Sequence, residues 1–165
     1  MDEPGVVVAF WVLAVTAVGS ALMVAAVRNL LHAVLFLVLS FVGVAGLYLT
    51  LSADFVAVVQ VLVYAGAIAV LVLFAIMLTP RAGRDNADGM FWAPALVLAG
   101  LAATTISLIA TRTEWAVSDR GPFPETARDI GNALLDPFVL PFEVASALLV
   151  VAMIGAIVIV REEEE

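Results

Sequence analysis

The chain reads as an all-α integral membrane protein with five transmembrane helices, and three observations carry that reading. Its residues are 64% hydrophobic and only 13% charged, whereas about a quarter of the residues in a soluble domain are charged. The apolar residues gather into five runs of about 20 residues, the length that crosses a bilayer as a helix. Charges, prolines and turn formers collect between those runs.

The first span covers residues 5–27 and is closed by Arg28-Asn29. Ahead of it stand Asp2 and Glu3 rather than the basic segment of a signal peptide, and the apolar run is too long for a signal h-region, so it is expected to stay in the membrane. The second span, residues 30–51, follows so closely that the two form an antiparallel pair. Ser52-Ala53-Asp54 offers a helix N-cap, with Asp54 the simplest capping group, for the third span, residues 55–78, which ends before Pro80. After a polar turn at 81–89 comes the fourth span, 91–111, whose Pro94 is tolerable in the first turn. A long external connection, 112–137, holds Gly121-Pro122-Phe123-Pro124 and a short apolar stripe of Ile130, Leu134 and Leu135 expected on the membrane surface. The fifth span, 138–160, stops at Arg161, and an acidic tail, 161–165, completes a single transmembrane domain. Arg28, Arg81, Arg84 and Arg161 fall on one side, and Arg112, Arg120 and Arg128 on the other, where acids dilute them. That asymmetry places the N-terminus outside and the C-terminus in the cytoplasm.

Small residues four apart let helix backbones approach closely, and Ala21/Ala25, Ala65/Ala69, Ala99/Ala103/Ser107 and Ala152/Ala156 are candidate contacts. The chain shows neither an internal repeat nor a heptad pattern, which disfavours a transporter with symmetric halves.

Composition also excludes function classes. With no cysteine and one histidine, disulfides, iron–sulfur ligation and cysteine nucleophiles are ruled out for this chain, and a zinc or haem site is disfavoured. A formal charge of −8 argues against nucleic acid as a partner. So many spans in 165 residues leave no room for a soluble catalytic domain.

Few residues carry chemistry. Gln60 and Tyr64 lie in mid-span, where lipid satisfies no polar group, so their face points at other helices or at a wet cavity. They are read either as interhelical hydrogen-bonding groups or as the lining of a water path. Gly66 either makes room for a neighbour or softens the helix. Glu143, in Leu140-Pro141-Phe142-Glu143, is an acid in an apolar context. With Pro141 as the first helical residue it would sit in the first turn as a dipole partner, and the alternative is proton handling. His32 fits an interfacial position better than a proton relay.

Three stretches in order, Arg28-Asn29-Leu30-Leu31-His32-Ala33, the run from Val59 through Gln60, Tyr64-Ala65-Gly66-Ala67-Ile68 to Leu78, and Pro141-Phe142-Glu143-Val144-Ala145-Ser146, resemble subunit J of the proton-pumping NADH–quinone oxidoreductase. This is the counterpart of mitochondrial NADH dehydrogenase subunit 6. The resemblance covers nearly the whole chain and implies a membrane-arm subunit of a respiratory translocase in a prokaryotic plasma membrane. It implies packing against the family's subunits A, H, K and N. NADH, FMN, iron–sulfur clusters and quinone would be bound by other subunits and no cofactor or metal by this one. It further implies that the third helix switches between an α-helix and a π-bulged form, opening or closing a water wire. Tyr64 would be the moving group, Gly66 the hinge and Gln60 a helper. Some members carry a carboxylate where this chain has Gln60, and an amide cannot release a proton, so a relay at that position is not expected here. The equivalent subunit of a related membrane hydrogenase or cation/proton antiporter complex, and a purely structural scaffold, are the alternatives.

Overall fold

A computed structural model describes residues 4–79, 92–115 and 125–160. Those residues form six helices, α1 Pro4–Ala26, α2 Leu30–Thr50, α3 Asp54–Leu78, α4 Trp92–Arg112, α5 Thr126–Leu135 and α6 Val139–Val160. Five of them, all but α5, are long and apolar enough to cross a membrane. The expected spans therefore hold to within one or two residues, and no strand occurs among the described residues. The polar turn 81–89, Gly121-Pro122-Phe123-Pro124 and the acidic tail lie outside the described residues.

The chain divides into two units, Met1–Pro122 and Phe123–Glu165. In the first, α2 packs against α1 on one side and along the whole of α3 on the other. Small residues make the α1/α2 approach possible. Ala17 and Ser20 of α1 and Gly43 of α2 are buried, and a Cβ on Gly43 would lie 3.1 Å from the Ala17 backbone. The Ser40 hydroxyl adds an interhelical hydrogen bond, donating to the Ala17 carbonyl at 3.1 Å. Such contacts matter because lipid tails are as apolar as Leu, so packing and hydrogen bonds hold helices together where burial from water does not. Of the four small-residue runs, Ala65/Ala69 turns inward, with Ala69 buried, and the other three lie on exposed faces of this chain.

The helix ends depart from expectation in ways the local chemistry explains. Asn29, rather than merely closing α1, is the N-cap of α2, its side-chain oxygen accepting from the amides of Leu31 at 3.0 Å and His32 at 3.5 Å. His32 is exposed in that first turn. Asp54 makes no capping hydrogen bond. The N-cap of α3 is Ala53, with no side-chain bond, and Asp54 is the first helical residue, beside free amides that favour its carboxylate. The shift follows from how α2 ends. Ser52 takes a left-handed φ of 58°, and Ser52 N–H and Ala53 N–H donate to the carbonyls of Leu49 (3.1 Å) and Tyr48 (2.9 Å), a Schellman closure with serine where glycine is usual. That turn consumes the residues that would otherwise have capped α3.

Within its unit, helix α4 packs against no other helix among the described residues, and residues 93–112 are exposed. Just beyond it the Trp115 indole donates to the Ala110 carbonyl at 3.0 Å. In the second unit, α5 is short and strongly two-faced: Ile130 and Leu134 are half-buried, while Arg128, Asp129 and Asn132 are exposed. It packs against α6, itself exposed throughout. The contact between Arg128 and Glu125 at 3.2 Å is solvent-exposed and contributes little stability.

Candidate functional site: the widened centre of α3

Helix α3 is not uniform. Its ends, Asp54–Val59 and Ala69–Leu78, are α-helical, and its middle nine residues, Gln60–Ile68, form a π-helix. The Ala69 amide marks the register by donating to the Tyr64 carbonyl, five residues back instead of four. A wider turn of this kind is rare and rotates every side chain beyond it. Nothing in the local composition forces it. The segment Gln60-Val61-Leu62-Val63-Tyr64-Ala65-Gly66-Ala67-Ile68 has no proline and would propagate an ordinary helix in lipid.

All three α3 site residues fall inside this segment. Gln60 opens it and is buried. The one other described helix packed against the segment is α2. Tyr64 is 44% exposed, and its ring meets Phe41 of α2 edge-on, with centroids 5.6 Å apart and planes at 69°. Gly66 is exposed, and a Cβ there would sit 3.2 Å from the Val61 carbonyl oxygen, five residues back in the same widened turn. A side chain at this position crowds the register that the π-helix uses. Among the described residues no buried side-chain polar atom is left unpartnered.

Glu143 stands in the second unit. Helix α6 begins at Val139, two residues before Pro141, and the Phe142 amide already donates to the Phe138 carbonyl at 3.1 Å. Glu143 therefore lies past the free first-turn amides, and the capping explanation fails for it. It is exposed on the helix surface, and its own carbonyl accepts from the Ser146 hydroxyl at 2.8 Å. Sequence reasoning missed Phe41. An aromatic in an apolar run carries no signal by itself, and only the packing of α2 on α3 singles it out.

The family described as NADH-ubiquinone/plastoquinone oxidoreductase chain 6 matches residues 20–159. The chain belongs to this family. Among the similar chain 6 proteins, the NAD(P)H-quinone oxidoreductase chain 6 of Leptolyngbya boryana is 42% identical over 95% of this chain and 80% of the relative. That of Synechocystis is 39% identical over 94% of this chain and 81% of the relative. The F(420)H(2) dehydrogenase subunit J of Methanosarcina mazei is 36% identical over 99% of this chain and 98% of that protein. For a chain 6 protein, the match takes in the end of α1 from Ser20, all of α2, the π segment and Glu143.

Proposed function

We propose that this chain is a membrane-arm subunit of a proton-pumping NADH–quinone oxidoreductase, and that the centre of α3 gates the water path coupling quinone reduction to proton movement. What supports the gate is the π register at Gln60–Ile68, fixed by the Ala69 amide on the Tyr64 carbonyl. Returning the segment to an α-helix removes one residue's worth of turn, about 100°, and so swings Tyr64 relative to its surroundings. A phenol that moves at mid-membrane depth makes or breaks a hydrogen-bonded chain of waters without itself exchanging charge. Gln60, an amide, helps hold that chain and does not relay a proton.

The electron chemistry belongs to other subunits. The chain lacks cysteine, and the relatives' names pair the same type of subunit with NAD(P)H in one case and F(420)H(2) in another. Such a subunit takes its donor specificity from its partners. NADH, FMN, iron–sulfur clusters and quinone are accordingly assigned to them, and subunits A, H, K and N are the proposed neighbours. The N-terminus is placed outside and the complex in a prokaryotic plasma membrane. Glu143, exposed on α6, is assigned to proton access or to a contact with a neighbouring subunit.

Gly66→Val and Tyr64→Phe in the assembled complex test the gate, with NADH–quinone turnover and proton pumping measured together. Intact assembly with fewer protons moved per electron pair is the expected result. A scaffold predicts lost assembly or no effect, and normal pumping in both variants removes the gate.

A further inference from the structure

The ring of Phe41 is the one aromatic contact that Tyr64 makes among the described residues. Its carrier helix is held from behind. One residue before it, the Ser40 hydroxyl bonds the Ala17 carbonyl at 3.1 Å, and two residues after it Gly43 seats so close to Ala17 that a Cβ would lie 3.1 Å from its backbone. Phe41 therefore sits between two residues that hold α2 to α1 and meets the π segment of α3.

We propose that Phe41 is a positioning residue that holds Tyr64, and through it the π register of α3, against a fixed α1/α2 platform. The inference rests on the gate reading above. The geometry makes the coupling direct. Tyr64 supplies both the ring that Phe41 contacts and the carbonyl that accepts the Ala69 amide, so one residue carries the aromatic contact and the register bond. Unwinding to an α-helix hands the Ala69 amide to the Ala65 carbonyl and turns the Tyr64 ring off the Phe41 edge. The aromatic pair exists in one register and not in the other, so its free energy acts as a bias on the switch. An edge-to-face pair is of a strength that alters a two-state ratio by about twofold to tenfold. That is large enough to set a resting state and small enough for a signal from the rest of the complex to override.

The test reads register and coupling separately. Electron cryomicroscopy of the whole complex gives the share of particles in which the Ala69 amide meets Tyr64 O rather than Ala65 O. It is applied to wild type, Phe41→Leu and Phe41→Tyr, and to the first two again in a Gly66→Ala background, where crowding at Val61 O brings the ratio nearer to unity. Phe41→Leu is expected to lower the π:α ratio by about twofold to tenfold, and Phe41→Tyr, which keeps the ring, to leave it unchanged. Phe41→Met serves if the Leu variant does not assemble. An unchanged ratio in the ringless variants overturns the proposal, as does a drop in complex yield with the register intact, which is what a merely structural Phe41 gives. If the ratio shifts while protons per electron pair stay constant, Phe41 positions Tyr64 as proposed and it is the gate that fails.

Discussion

The two sides of α2 solve the same packing problem in opposite ways. Toward α1 it presents Gly43 and Ser40, and the backbones come so close that even a methyl group on Gly43 would crowd Ala17. Toward α3 it presents Phe41 to a helix whose centre has widened and whose tyrosine remains partly exposed. A contact built on backbone proximity has one arrangement. A contact built on a ring edge leaves its tyrosine 44% exposed and is not fixed by backbone proximity. The latch proposed at Phe41 depends on that rigidity, because a latch fixed to a yielding support biases nothing.

Substitutions on each face should break this asymmetry to different degrees. The largest effect is expected at Gly43. Gly43→Leu drives a side chain into the Ala17 backbone, and overpacking of this kind costs about 1–3 kcal/mol. It should sharply lower the yield of intact complex on native gels. Gly46→Ala, by contrast, meets the ends of the Leu13 side chain, which can swing aside, and should assemble normally. Next is the cap at the start of α2. Asn29→Ala removes the acceptor for the Leu31 and His32 amides and should cost about 1 kcal/mol, visible as a lower thermal midpoint of the purified complex. Ser40→Ala loses one interhelical hydrogen bond, worth about 0.6 kcal/mol in a membrane. Its signature is a small loss of midpoint together with a π register less sensitive to Phe41. The smallest change should be a gain. Ser52 holds a left-handed φ of 58° that costs a side-chain-bearing residue about 1–2 kcal/mol, and glycine there returns part of that as chain entropy. Ser52→Gly is thus expected to raise the midpoint slightly without touching coupling.

The spans were legible because one quantity, a run of apolar residues about 20 long, decides them. Their ends were less so. Ser52-Ala53-Asp54 contains two good capping residues, and sequence alone does not reveal that the Schellman turn of α2 takes Ser52 and Ala53 first and leaves Asp54 inside the helix. Asn29 had the complementary ambiguity, readable as the end of one helix or the cap of the next. For Glu143 the expectation assumed that Pro141 starts the helix. The chain instead enters through Phe138 and Val139, and proline occupies a first-turn position where its missing amide costs nothing. At the site, Gln60, Tyr64 and Gly66 stood out as polar or small residues in an apolar run. Phe41 did not, since its role depends on which neighbour it meets. The widened turn itself is invisible to periodicity, because nine residues are too few to distinguish the two helical repeats.

A helix that slips from a five-residue to a four-residue hydrogen-bonding step must pass over one carbonyl as it does so. Downstream of the Ala69 amide, α3 resumes its ordinary pitch, so one main-chain oxygen near that junction goes unclaimed by any amide of its own rod. In hydrocarbon such an oxygen is costly to leave bare. A hydroxyl or a water molecule is the partner that such an oxygen calls for in the middle of a bilayer.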